Sequence, residues 1–259
     1  MSTDRPDWRL PVGVSRGLWN YIQDADLAAH YDAALADAPL MTRDVAFLLR
    51  HTPPGRLLDL GCGTGRLIAP ATKHGYRYVG VDLSSAMLAI AAQKASDVRF
   101  IRGNIVELSY LRSGSFDVAA CLFGTLGMLA DAEARRRTVA EAYRVLTAGG
   151  HLIVHVHNRG HLLTTSAGRR SLCQDLIGQR PLGDRLTRGP SGVGDLSMHL
   201  FTRSEIVSLI QSVGFRVNTV EAIGPRGETP RWFADWRAVG FLIHAQRGLD
   251  EKALPQNRS

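Results

Sequence analysis

The sequence predicts a doubly wound α/β fold, in which a mostly parallel sheet carries helices on both faces. Two observations carry this prediction: short apolar segments alternate with helix-like segments from Arg56 onward, and a glycine-rich turn directly follows the first apolar segment. The length of 259 residues suits one domain with a single core. We therefore expect a seven-stranded sheet that binds its ligand at the carboxyl ends of the strands.

Seven segments have the length and apolar character of buried strands, and turn residues bound each of them. They are residues 56–60, 76–82, 98–102, 116–122, 151–157, 215–220 and 238–245. The first five are separated by helix-like segments, which favours parallel pairing among them.

Capping residues indicate where the helices between the strands begin. Ser84 and Asp131 are suited to cap helices that reach about residues 95 and 146, and residues 148–150 are expected to end the second one. Before the first strand, residues 24–50 look helical, and the Pro-Pro-Gly run at 53–55 separates that helix from the sheet.

A capping box marks one helix in the last quarter of the chain. Thr202 can accept a hydrogen bond from the backbone N–H of Glu205, while the Glu205 side chain reaches back to the backbone of Thr202. The helix is expected to reach residue 213, because Gly214 follows as a stop signal.

Composition and charge exclude several classes of protein. No apolar run approaches the ~18 residues of a membrane span, and residues 1–9 lack the basic and apolar parts of a signal peptide. Cys62, Cys121 and Cys173 are an odd set without metal-ligand spacing, so we expect a cytoplasmic protein with no disulfide framework and no metal. The net charge of +7 allows a polyanion partner, but the arginines are scattered and only three basic residues are lysine, which disfavours nucleic acid.

The glycine-rich turn indicates a nucleotide-like ligand. Gly61, Gly63 and Gly65 alternate after the first strand, where glycine lets the backbone take positive φ and approach a ligand closely. Asp82 ends the next strand, where a carboxylate can accept hydrogen bonds from ribose hydroxyls. The dinucleotide fingerprint would need its third glycine at position 66, and Arg66 stands there instead.

Together with Asp59 just before the turn, these residues resemble class I S-adenosylmethionine-dependent methyltransferases. The resemblance covers roughly residues 31–158. Within this class the chain resembles the type 11/25 group, which includes quinone-biosynthesis enzymes and small-molecule N- and O-methyltransferases. It implies a Rossmann-like seven-stranded methyltransferase fold and S-adenosylmethionine as the cofactor. It also implies that Gly61, Gly63 and Gly65 line the methionine moiety, that Asp59 lies near its amino group and that Asp82 holds the ribose.

The same resemblance implies further cofactor contacts. Leu83 would flank the adenine, and Asn104 and Ile105 would contact its edge, although the family usually has aspartate where Asn104 stands. Leu122 and Phe123 match the segment beside the sulfonium, and Tyr31 matches a tyrosine that closes the pocket.

The chain is accordingly expected to form one domain with five parts. These are an N-terminal helical cap (1–54), a cofactor-binding half (55–157), an insertion or lid (158–198), a C-terminal helix with strands (199–248) and a flexible tail (249–259). The insertion is too long for an ordinary connection, and its arginines could hold an anionic substrate. These arginines are Arg159, Arg169, Arg170, Arg180, Arg185 and Arg188.

Methyl transfer from a sulfonium is an in-line displacement, so alignment and exclusion of water matter more than any one side chain. Where the acceptor must lose a proton, histidine is the usual base near neutral pH. The strand period places His151, His155 and His157 on one face of the fifth strand, and we propose His157 and His155 as candidate bases. A metal site is not expected, because no carboxylate accompanies them at ligand spacing.

Missing motifs narrow the acceptor to a small molecule. The segment after the fourth strand, from Cys121 to Thr125, differs from the Asn/Asp-Pro-Pro-aromatic motif of amino-directed nucleic-acid methyltransferases, and no Pro-Cys dipeptide is present. Two other interpretations stay open: an RNA-directed relative such as a tRNA modifier, suggested by the charge, and a non-catalytic partner subunit with the same fold, suggested by Asn104. The oligomeric state cannot be read from the sequence.

Overall fold

The structure is a computed structural model of the chain, and it describes residues 5–35, 39–178, 183–188, 195–228 and 235–249. The α-helices in this part of the chain are α1 (Arg16–Gln23), α2 (Ala25–Ala34), α3 (Pro39–His51), α4 (Ile68–Lys73), α5 (Ser85–Lys94), α6 (Thr125–Met128), α7 (Ala132–Val145), α8 (Ser166–Ile177) and α9 (Arg203–Ser212). The strands are β1 (Arg56–Leu60), β2 (Arg77–Asp82), β3 (Arg99–Arg102), β4 (Phe116–Cys121), β5 (Leu146–His157), β6 (Asp184–Arg188), β7 (Asp195–His199), β8 (Phe215–Ile223) and β9 (Gly240–Arg247).

Within these residues the main sheet has seven strands in the order β3-β2-β1-β4-β5-β9-β8. Strands β1 to β5 pair in parallel, and β9 runs antiparallel between β5 and β8. The predicted seven-stranded, mostly parallel fold is therefore confirmed. Because β1, β2, β4 and β5 run in the same direction, their carboxyl ends meet at one edge of the sheet.

The two faces of the sheet bury alternate residues of each strand. On one face Leu58, Ala119 and Leu152 pack in the cluster that also holds the buried side of α7 and α9. On the other face Leu57 and Ile153 pack in a second cluster, together with residues of α3 and α4. Because both faces of β1 are buried, its sequence does not alternate between apolar and exposed polar residues.

The predicted caps form as expected. Ser84 Oγ accepts from Met87 N at 3.3 Å, and Asp131 Oδ1 accepts from Ala134 N at 2.7 Å. Thr202 completes the capping box of α9 with Glu205. These three helices end within about one residue of the positions predicted from the sequence.

Two sequence predictions about element boundaries are wrong. Residues 24–50 form two helices instead of one: α2 ends at Ala34, and α3 begins at Pro39, a residue that is favoured at the first position of a helix. Residues 148–150 do not end α7; they lie within β5, which begins at Leu146 directly after the helix. The pairing of β5 with β4 is irregular between Leu146 and His151, and Gly149 has a φ of +76° there.

The insertion predicted at 158–198 contains a short 3-10 helix (Arg159–Thr164), the helix α8 and the antiparallel pair β6–β7. Strand β7 contacts both α1 and α6, and Leu196 packs into a small apolar cluster with Val14, Leu18 and Ile22. The N-terminal cap and the insertion therefore pack against each other. Arg180 and the tail from residue 250 onward lie outside the described residues.

Among the described residues, no helix combines the length and the apolar character needed to cross a membrane.

The capping box gives a direct test of how α9 is held. Thr202→Ala removes the acceptor for the backbone N–H of Glu205, which lies 3.2 Å from Thr202 Oγ1. We expect the free energy of unfolding to fall by about 1 kcal/mol in urea denaturation. Thr202→Ser keeps the hydroxyl and is the matched control; equal losses in the two variants would contradict a role for the cap.

Candidate functional site

The glycine-rich turn after β1 has left-handed backbone at all three glycines, with φ values of +76°, +53° and +78° at Gly61, Gly63 and Gly65. A Cβ at Gly61 would lie 2.5 Å from Thr125 Cγ2, and one at Gly65 would collide with the Ile68 side chain. At Gly63 no heavy atom lies within 4 Å of the same position. Two glycines are therefore required by packing, whereas Gly63 faces open space.

Asp82 points from the end of β2 toward this turn. Its Oδ2 accepts from Gly63 N at 2.8 Å, and its Oδ1 accepts from Ser84 N at 2.8 Å. Burial raises the pKa of Asp82 above its usual value, while the backbone N–H groups that bond to the carboxylate act in the opposite direction. The carboxylate is thus fixed beside the turn.

A first cleft opens between the turn, the end of β2 and the N-terminal helices. It brings together seven of the residues predicted to bind the cofactor: Tyr31, Gly61, Gly63, Asp82, Leu83, Asn104 and Ile105. Gly65 lies beneath the turn against α4 and α5, so in this structure its contacts are packing contacts.

Helices α1 and α2 close this cleft. Leu18 and Ile22 of α1 are buried and line its wall, and Tyr21 forms a side-chain hydrogen bond with Tyr31 of α2. Burial raises the pKa of Tyr21 well above its ordinary value, so its hydroxyl stays protonated. Sequence reasoning missed the apolar residues of α1, although the four-residue spacing of Val14, Leu18 and Ile22 carries that signal.

The cap is tied to the turn by a polar contact as well. Thr64, which is buried inside the turn, donates its hydroxyl hydrogen to Asp32 Oδ1 at 2.6 Å. Asp32 is the residue after Tyr31, so this bond holds Tyr31 over the cleft.

Asn104 uses its side chain for contacts within the chain. Its Nδ2 donates to the carbonyl oxygen of Val12 at 2.8 Å, and its Oδ1 accepts from Val106 N at 3.1 Å. The amide thereby ties the N-terminal segment to the loop after β3. Asparagine can make both contacts at once, whereas an ionised aspartate could not donate to Val12.

A second cleft shares Gly61 with the first and lies on its α3 side. Asp59, Leu122 and Phe123, which were predicted near the methionine end of the cofactor, line this cleft together with Asp44. Burial raises the pKa of Asp59 to about 6, although the Tyr78 hydroxyl donates to its Oδ2 at 2.8 Å. A buried carboxylate of this kind favours a positively charged neighbour.

Arg66 is the cationic residue of the second cleft. Its guanidinium carbon lies 3.5 Å from the centroid of the Phe123 ring, a stacked cation–π contact. It also acts on the charge of Asp59, whose pKa it lowers against the effect of burial. The second cleft therefore presents carboxylates and a guanidinium side by side.

The two candidate bases lie behind the loop that follows β4. His155 is completely buried, with Nδ1 2.9 Å from Asp44 Oδ2, so its ring has no surface with which to touch a bound molecule. His157 packs beside Gly124. Burial lowers the pKa of His157 to about 4, with a further contribution from His155. Within the described residues, neither ring lines either cleft.

Three of the arginines of the insertion have partners inside the protein. Arg185 pairs with Asp175 of α8, Arg159 lies 3.8 Å from Glu205, and Arg169 donates to a backbone carbonyl. No group of three or more histidine, cysteine or acidic side chains in the described part of the chain could hold a metal ion.

The donor set fits the two ends of S-adenosylmethionine. The first cleft offers apolar walls, a carboxylate at ribose position and the open space at Gly63, which suit a nucleoside. The second offers Asp59 and Arg66, which complement the ammonium and carboxylate of an amino-acid tail. Because both clefts include Gly61, one ligand can extend from one into the other.

Several known proteins with similar sequences are named as methyltransferases. Residues 58–154 match the family model of the methyltransferase domain. Demethylmenaquinone methyltransferase of Thermus thermophilus is 38% identical over 125 residues, which is 46% of this chain and 54% of that protein. Trans-aconitate 2-methyltransferase of Deinococcus radiodurans is 37% identical over 133 residues, 48% of each chain. The chain thus spans about half the length of these relatives.

Solved structures extend the likeness over most of the fold. A SAM-dependent methyltransferase of Methanosarcina mazei superposes with a TM-score of 0.65 at 24% identity, covering 79% of this chain and 98% of that one. The 1,6-didemethyltoxoflavin-N1-methyltransferase of Burkholderia thailandensis, solved with S-adenosylhomocysteine, gives 0.61 at 20% identity and covers 92% of each chain. At these identities the likeness concerns the fold. Residues 58–154 are therefore similar to the methyltransferase domain family, and the fold built around them is the one seen in these S-adenosylmethionine-dependent methyltransferases.

Proposed function

We propose that this chain binds S-adenosylmethionine and transfers its methyl group to a nitrogen or oxygen atom of a small molecule. The observation that carries the proposal is the meeting of the Gly63 backbone with the Asp82 carboxylate at one edge of the sheet, beside a cleft with open space. Nucleotide-like ligands bind at this edge in open α/β sheets.

The chain's own residues would hold the cofactor and keep water away from it. S-adenosylmethionine, when bound, supplies a methyl group on positively charged sulfur. Asp82 would hold the ribose and Asp59 the amino group, while Leu18 and Ile22 would shield the cleft from solvent. In-line displacement then depends on how well these contacts align the acceptor with the methyl carbon.

For an acceptor that loses a proton, we propose His157 as the proton acceptor. Its lowered pKa of about 4 leaves the ring neutral at pH 7, which is the form that can take a proton. The ring lies beside Gly124, in the loop that follows β4, and lines neither cleft in this structure, so contact with an acceptor requires a movement of that loop.

A small-molecule acceptor is supported by the described relatives, whose names refer to demethylmenaquinone, trans-aconitate and 1,6-didemethyltoxoflavin. Groups of the protein itself bind the side chains of Arg159, Arg169 and Arg185. In this conformation these three arginines therefore do not form a binding site for an anionic acceptor. This also removes the main support for an RNA acceptor in the insertion.

The nature of the acceptor is testable with an isotopically labelled methyl group. We expect labelled S-adenosylmethionine and purified protein to label a small molecule in a metabolite extract, detected by mass spectrometry. Label found in bulk tRNA alone would favour the RNA-directed alternative. Absence of label in any fraction, despite cofactor binding, would favour a non-catalytic partner subunit.

Gly63→Ala tests where the cofactor binds. The new Cβ meets no protein atom within 4 Å, so it would project into the cleft that the ligand occupies. We expect the Kd for S-adenosylhomocysteine in calorimetry to rise at least about tenfold. Gly114→Ala is the matched control: its φ of +61° and its open surroundings resemble those of Gly63, but it lies outside both clefts. Similar Kd values in the two variants would contradict this placement.

Asp59→Asn tests two effects of the Asp59 carboxylate separately, one on the stability of the fold and one on binding of the cofactor. The folded-state pKa of about 6 exceeds the ordinary 3.8, so the ionised carboxylate destabilises the fold above pH 6, and this cost disappears below pH 4. The free energy of unfolding at pH 8 should therefore rise on the order of 2 kcal/mol in the variant, and the gain should shrink toward pH 4.

The same variant should bind S-adenosylhomocysteine more weakly, because the neutral amide attracts an ammonium group less than a carboxylate does. A variant that is more stable at pH 8 and binds with unchanged affinity would remove Asp59 from the proposed site.

A further inference from the structure

A fully buried pair of a carboxyl group and an imidazole ring borders the second cleft. Asp44 of α3 and His155 of β5 are both 0% exposed, and His155 Nδ1 lies 2.9 Å from Asp44 Oδ2. Since a carboxylate can only accept, Nδ1 must carry the proton. Asp44 Oδ1 also lies 2.9 Å from His155 Nδ1, whereas His155 Nε2 is buried and has no hydrogen-bond partner among the described residues.

Such a pair is a costly way to fill a core. Removing two polar groups from water is expensive, and apolar residues of similar volume often give equal or greater stability. An arrangement that leaves His155 Nε2 without a partner gains less still. Stability alone therefore does not account for the pair.

The pair is connected to the loop that follows β4. Asp44 Oδ2 also accepts from the backbone N–H of Phe123, at 3.3 Å. Phe123 has a φ of +60° and is the one non-glycine residue with positive φ among the described residues. This conformation costs about 1 kcal/mol or more for such a side chain, so contacts around it must hold it in place.

The strained residue shapes the second cleft. With this backbone, the Phe123 ring lies under the Arg66 guanidinium at 3.5 Å and 6.0 Å from the His155 ring. Phe123, Arg66 and Asp59 line the cleft together with Asp44 itself. A shift of Phe123 toward ordinary φ would move its ring and release the Arg66 side chain from it.

We propose that Asp44 and His155 are positioning residues that hold Phe123 in its left-handed conformation and so give the second cleft the shape that takes the amino-acid tail of the cofactor. The inference rests on the proposed function. His155 acts through Asp44 and Phe123 and touches neither cofactor nor acceptor, which differs from the role of a base that its place on β5 suggested.

The test compares two ligands that differ only at the tail end. S-adenosylhomocysteine carries the amino-acid tail, whereas 5′-methylthioadenosine has the same nucleoside and lacks it. In His155→Leu, which removes the donor to Asp44, we expect the Kd for S-adenosylhomocysteine in calorimetry to rise at least about tenfold. The Kd for 5′-methylthioadenosine should stay within about twofold, because the first cleft keeps its shape.

Two further variants separate positioning from general damage. His155→Asn retains an N–H donor near the Nδ1 position and should recover most of the affinity for S-adenosylhomocysteine. His151→Leu removes a histidine from the same face of β5, where its Nδ1 lies 3.0 Å from His244 Nε2 and far from both clefts. It should lower the melting temperature and leave both Kd values unchanged.

The possible results are distinguishable. An unchanged Kd for S-adenosylhomocysteine in His155→Leu, or equal losses for both ligands, would overturn the proposal while the proposed function stands. If His155→Leu does not fold, Asp44→Ala carries the same expectation, because it removes the one oxygen that accepts from both Phe123 N and His155 Nδ1. Failure of the unsubstituted protein to bind either ligand would instead overturn the proposed function.

Discussion

The hydrogen bond between the Asp82 carboxylate and the backbone N–H of Gly63, 2.8 Å long, joins the ends of the neighbouring strands β1 and β2. It fixes the turn after β1 against the end of β2, and the first cleft exists because these two elements stay at that distance. The same carboxylate accepts from Ser84 N and so also anchors the start of α5. A change in this contact would alter the turn, the cleft and the helix together.

Around that contact the protein holds two kinds of buried charge. Burial of Asp59 disfavours its ionised form and so raises its pKa. A cationic ligand group beside Asp59 would offset this cost. Asp44 and His155 compensate each other and transmit their effect through the loop after β4. Buried polar groups of this kind cost stability, and a site that favours function over stability is a common compromise in proteins.

The sequence was sufficient for features whose causes are local. The sheet followed from short apolar segments with bounded lengths, and Asp59, Gly61 and Asp82 were found because consecutive strands of an α/β sheet end at one edge. The break between α2 and α3 was missed, although Pro39 signals it, because the residues on both sides favour helix.

Other features depend on contacts between residues that are far apart in the chain, which no local sequence pattern indicates. Asp44 and His155 are 111 residues apart, and nothing near either residue indicates that they meet. The α1 wall of the first cleft and its contact with Leu196 of the insertion are likewise products of tertiary packing. Histidines on one strand face suggested a base, but burial decides what a histidine can reach.

The central claim is that the turn and the Asp82 carboxylate together hold the nucleoside of S-adenosylmethionine. The most direct measurement is a crystal structure of the protein with S-adenosylhomocysteine. The account predicts both ribose hydroxyls within about 2.6 to 3.2 Å of the Asp82 carboxylate oxygens, with the homocysteine tail passing Gly61 toward Asp59. A ligand bound elsewhere, or one whose ribose lies beyond the reach of Asp82, would contradict it.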